Sequence, residues 1–142
     1  MRIVVPVDGS ASANRAAEHA LLLAGGRADA EITLVNVQNQ RTLDTSDISS
    51  ITSVGADTER AVDQSKKALR RAIQLCHDAQ VKFDTRSAFG PVAETINTIA
   101  GEVKADQIVM GTRGFSPLRG AVLGSVSTKV VHLARVPVTL VK

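Results

Sequence analysis

The chain has 142 residues, a formal charge of +3 and a single cysteine, Cys76. That length suits one domain spanning residues 1–142 with a sizeable core, and a lone cysteine excludes an intrachain disulfide and a cysteine-based zinc site. With no Trp, no Tyr and only three Phe, the chain lacks the aromatic platform that single-stranded nucleic acid needs, and no apolar run reaches the roughly 18 residues of a membrane span.

In chain order, RIVVPV (2–7) reads as a short buried strand that DGSAS interrupts. Ser10 or Ser12 can cap the helix that follows, because a side-chain oxygen there satisfies free backbone N–H groups. Ala16, Ala17, Ala20, Leu21 and Ala24 give that helix an apolar face, and Gly25-Gly26 ends it. EITLVNV (31–37) is the second strand. Residues 38–54 are rich in Ser, Thr, Asp and Gln with little periodicity, which predicts a long, mobile loop.

From Ala56 to Ala79 the apolar residues recur at helical spacings, with Cys76 in a buried, apolar position. Lys66, Lys67, Arg70 and Arg71 fall on this helix as the densest basic cluster. They read as a solvated face rather than a nucleic-acid patch. VKFDTRSA (81–88) alternates like a strand exposed on one face, and Gly90-Pro91 starts a helix with Pro at its first position. Val92, Ile96, Ile99 and Ala100 form that helix's inner face. DQIVM (106–110) is a buried strand, SVSTKVVHLA (125–134) a helix with Ser125 as its N-cap, and VPVTLV (136–141) a last strand at the sheet edge. His19, His77 and His132 lie far apart, without metal-ligand spacing. The opening lacks a signal-peptide pattern, so the expectation is a cytoplasmic protein.

Strand and helix alternate four times before the final strand, which predicts an open, five-stranded parallel α/β sheet with helices on both faces. Ligands of such sheets bind beyond the carboxyl ends of the strands, where the strand order reverses. If the order is 3-2-1-4-5, Asp8-Gly9-Ser10 after the first strand and the glycine-rich stretch GTRGFSPLRGAVLGSVS (111–127) after the fourth border one crevice. Gly111 and Gly114 then serve a sharp turn. Gly124 and Ser125 open a helix whose free N–H groups and partial positive charge suit phosphate, with the Ser125 and Ser127 hydroxyls as further donors. Neither G-x-x-x-x-G-K-[ST] nor G-x-G-x-x-G after the first strand is present.

The spacing of Gly111, Gly114 and Gly124-Ser125 resembles the ATP-binding signature of the universal stress protein family. IVVPVDGS, LVNV, IVMGTRG and VPVTLV resemble that family in the same order, over nearly the whole chain apart from 38–54. The resemblance implies a Rossmann-like fold, the ATP-binding branch and a homodimer. It places Pro6 and Val7 in a nucleoside pocket, Asp8 at the ribose or a metal-linked phosphate, and Val37 at adenine. Met110 and Gly111 flank base and ribose, while Gly114, Gly124, Ser125 and Val126 hold the phosphates. Asn36 departs from the family, whose members often carry His there.

Arg113 reads equally as a phosphate contact and as a solvated side chain; Arg119 and Lys129 read as solvated. The expected ligand is ATP, with Mg²⁺ held through its phosphates and Asp8, and no nucleic-acid or membrane partner. Three functions fit: a nucleotide-binding stress regulator acting through a protein partner, a slow ATP hydrolase or autophosphorylating enzyme, and a dimeric scaffold without nucleotide. No His, Glu or Lys within the glycine motif offers a general base, so no catalytic residue is assigned.

Overall fold

A computed structural model describes residues 1–39, 53–114 and 123–142. Among these, strands and helices alternate from end to end: β1 (Arg2–Pro6), α1 (Ala11–Ala24), β2 (Glu31–Gln38), α2 (Ser53–Asp78), β3 (Lys82–Phe89), α3 (Val92–Glu102), β4 (Gln107–Gly111), α4 (Ser125–Leu133) and β5 (Val138–Val141). The sheet is parallel throughout, as the alternating pattern predicts, and its strand order is β3-β2-β1-β4-β5, the order assumed for the crevice.

The central strands read as unbroken apolar runs because both of their faces are covered. Side chains alternate across a strand, so Ile3, Val5 and Val7 join Ile32 and Leu34 under α1 and α2, with Ala16, Ala20, Leu69, Ala72 and Cys76 in the same core. Val4 joins Val35, Ile108 and Met110 on the other face, against Ala93, Ile96 and Ala100 of α3 and Val130 of α4. Burial pushes the Cys76 thiol up to about 11, so it stays protonated and unreactive near neutral pH.

Alanines let α1 lie close to the sheet. Ala13, Ala16, Ala17, Ala20 and Ala24 are all buried. Of the two serines that can cap this helix, Ser10 does so, accepting from the Ala13 N–H at 3.2 Å. Ser12 instead donates to the Val141 carbonyl at 3.3 Å and ties α1 to the end of β5.

Several expected boundaries shift. α2 begins at Ser53, ahead of the expected Ala56, and the loop expected over 38–54 falls mostly outside the described residues. Pro91 is the N-cap of α3 rather than its first helical residue. In α4 the N-cap is Gly124, and Ser125 is the first helical residue. The last strand starts at Val138, because Val136 and Pro137 only lead into it. β3 is more exposed than one-sided alternation implies, with only Phe83 and Ala88 half-buried. It is an edge strand, and the charges of Lys82, Asp84 and Arg86 suit an edge. The basic cluster of Lys66, Lys67, Arg70 and Arg71 is exposed on α2. No helix among the described residues is long and apolar enough to cross a membrane.

Candidate functional site

β1 and β4 are neighbours that part towards their carboxyl ends. Their ladder holds only Ile3↔Gln107 and Val4↔Ile108, whereas β1 and β2 stay paired through Pro6↔Val35. Pro6 contributes to the parting. The Val7 N–H donates to Val35 of β2 at 2.7 Å, so position 6 faces β4, and proline has no N–H to offer there. After the strands separate, α1 leaves to one face of the sheet and α4 to the other. This is a topological switch point.

A cleft of about 330 Å³ opens there. Pro6, Val7 and Asp8 line it from the end of β1, and Val37 from the end of β2. Met110, Gly111, Arg113 and Gly114 line it from β4 and the residues that follow. Gly124, Ser125, Val126 and Ser127 complete it from the start of α4. Every site residue expected from the sequence therefore borders one cavity. Ala13, Val35, Val92, Ile96 and Leu123 also line it and were not singled out for the site. Val35 had a signal in its two-residue spacing from Val37, which puts both on one face of β2. Val92 and Ile96 share the inner face of α3 that the sequence assigns to the core alone.

The glycines differ in what they permit. The glycines with positive φ among the described residues are Gly9, Gly26 and Gly90, so a left-handed turn is not the reason for Gly111 or Gly114. At Gly111 a Cβ would lie 2.8 Å from the carbonyl carbon of Ser12 and 2.9 Å from its Cβ. Gly111 makes room for α1. At Gly114 a Cβ would sit 2.6 Å from Asp8 Oδ2, so its bare backbone admits this carboxylate, which lines the cleft. The other Asp8 oxygen accepts from the Ser10 N–H at 2.9 Å, which holds the side chain across the turn into α1. Gly124 is unlike both. Its φ of −73° and ψ of 161° suit any residue, and a Cβ would stand 3.4 Å or more from its neighbours in the chain. Among the described residues nothing requires glycine at 124.

α4 presents its N-terminus to the cleft without a side-chain cap. The Gly124 N–H is taken by the Thr112 carbonyl at 2.7 Å, and the first helical bond runs from Thr128 to Gly124. Among the described residues no acceptor meets the N–H groups of Ser125, Val126 or Ser127. Such a terminus carries a partial positive charge. The Ser127 hydroxyl, expected as a phosphate donor, instead donates to Thr112 and Gly124 carbonyls. Lys129 is paired with the Glu94 carboxylate and holds that exposed carboxyl below its usual range, so its charge is directed to α3. Arg113 is exposed on the cleft wall, and Arg119 lies outside the described residues. Asn36 is buried and donates to the Val7 carbonyl at 2.7 Å, fixing the end of β1 to β2.

The universal stress protein family model matches residues 1–142. The chain belongs to the universal stress protein family. A universal stress protein of Methanocaldococcus jannaschii is 33% identical over 147 residues, covering 99% of this chain and 81% of that protein. The solved structure of universal stress protein UspA from Lactobacillus plantarum superposes with a TM-score of 0.82 at 27% identity, covering 100% of this chain and 97% of the other. A universal stress protein solved in complex with cAMP matches with a TM-score of 0.68 at 25% identity, over 99% of this chain and 95% of that one. The Rossmann-like fold read from the universal stress protein motifs thus agrees with the fold of solved members.

Proposed function

We propose that this universal stress protein binds ATP in the β1–β4 cleft and acts as a cytoplasmic regulator or nucleotide sensor through protein partners. The observation that carries the reading is the α4 N-terminus, whose N–H groups meet no acceptor among the described residues, beside a glycine where those residues leave room for a Cβ. An anion at that terminus gains both the donors and the helix dipole. The apolar wall of Val7, Val35, Val37 and Met110 suits a base, and a relative that holds cAMP supports a nucleotide as the ligand class. Asp8 fits the ribose. It fits Mg²⁺ only as one ligand beside phosphate oxygens, because among the described residues no cluster of His, Cys, Asp or Glu is suited to hold a metal ion. Mass analysis of the small molecule released when purified protein is denatured tests the proposal. ATP or ADP in near-stoichiometric amount is the expected result. Protein that releases no nucleotide and takes up no added ATP would favour a scaffold instead.

The same reading includes a homodimer closed by β5. Among the described residues β5 pairs with β4 alone, which leaves the other edge of an apolar strand open to a second copy. Pro137 precedes the strand and removes no donor from it. Val138→Asp or Leu140→Asp is expected to weaken association by about tenfold or more, read by sedimentation with circular dichroism as the folding control. A parent protein that sediments as a monomer at micromolar concentration would refute the dimer.

A further inference from the structure

Ser127 borders the cleft but is only 2% exposed. Its hydroxyl lies 3.0 Å from the Thr112 carbonyl and 2.9 Å from the Gly124 carbonyl. Thr112 is where the chain leaves β4, and Gly124 is the N-cap of α4. The backbone bond from Gly124 to Thr112 joins the same two residues. Thr112 is itself held, 6% exposed, with its N–H donating to Val141 of β5 at 2.9 Å. One backbone bond and one side chain therefore close the neck between residues 112 and 124. A hydroxyl has one hydrogen. Shared between two carbonyls, it has none left for a ligand.

We infer that Ser127 is a positioning residue, whose hydroxyl staples the end of β4 to the start of α4 and so aims the Ser125 and Val126 N–H groups into the cleft. Gly124 lies inside this staple, since a Cβ there would stand 3.4 Å from the Thr112 oxygen and 3.6 Å from Ser127 Oγ. The role in ligand binding rests on the ATP reading of the cleft; the staple itself does not. Loss of the hydroxyl loosens the phosphate end while leaving the apolar wall of Val35, Val37 and Met110 in place. Its effect is therefore selective for the charged part of a nucleotide.

Two measurements on full-length Ser127→Ala and Ser127→Thr test this. Without ligand, hydrogen exchange at the Gly124 amide is expected to speed by about tenfold in Ser127→Ala, with the Ile108 and Val109 amides unchanged. With ligand, ATP affinity is expected to fall by about tenfold and adenosine affinity by less than about twofold. Ser127→Thr, which keeps the hydroxyl, is expected to restore both properties. Unaltered Gly124 exchange in Ser127→Ala would overturn the staple. Equal losses for ATP and adenosine, no loss of either, or a folded Ser127→Thr that behaves as Ser127→Ala would overturn the positioning role. If the parent binds neither ligand, the ATP reading fails by itself and the exchange measurement still decides the staple.

Discussion

Gly124→Val is expected to abolish ATP binding, a loss of at least about a thousandfold in affinity, in a protein that keeps its fold. The backbone at 124 is extended, with φ −73° and ψ 161°, a conformation that a β-branched residue adopts readily. The nearest atoms of the chain leave a Cβ at ordinary contact distance, 3.4 Å from the Thr112 oxygen and 3.7 Å from Arg113 Cα. Among the described residues nothing crowds that Cβ, so the cost of the substitution falls on whatever approaches the α4 N-terminus from the cleft. Ser125→Ala removes one hydroxyl from an exposed position and leaves the backbone donors. Its cost is about 1.5–3 kcal/mol, the worth of one hydrogen bond to a charged group. Calorimetric titration of both variants with ATP, with circular dichroism as the control, checks the order. A folded Gly124→Val that binds as tightly as the parent would remove phosphate from this end of the cleft.

Gly111→Ala is expected to do the reverse, lowering stability by about 2–3 kcal/mol through overpacking. The added Cβ would lie 2.8 Å from the Ser12 carbonyl carbon, and a backbone atom in the first turn of a packed helix cannot step aside alone. α1 must shift away from β4, carrying with it Ser12, which bonds to Val141, and Ala13, which lines the cleft. Thermal unfolding is expected to move down by on the order of 5–10 °C. A melting temperature equal to the parent's would mean that α1 yields without cost and that Gly111 answers to something else. The two glycines thus separate by experiment: one substitution harms binding in a folded protein, and the other harms the fold.

Much of this was legible in the sequence. Apolar runs between helical periods specify strands buried on both faces, so the parallel sheet and its paired helices follow from local pattern. Asp8 and the spacing of Gly111, Gly114, Gly124 and Ser125 mark strand ends and a helix start, which are local events too. Strand order was not local. It depends on which strand β1 pairs with on each side, and only the folded sheet decides that β4 lies beside β1. The reasons behind the glycines were equally hidden. Gly111 answers to Ser12, Gly114 to Asp8, and each contact spans about a hundred residues of sequence. Ser127 looked like a ligand donor because its hydroxyl sits in the first turn of a helix. Only the tertiary structure brings the Thr112 carbonyl to it and turns that hydroxyl inward. Val92 and Ile96 read as core because helical periodicity reports an inner face without saying whether it meets a sheet or a cavity. The sequence by itself determined the elements, their alternation and the residues at the strand ends. Which of those ends face one another, and which hydroxyls and backbone atoms they consume, was decided by packing between segments distant in the chain.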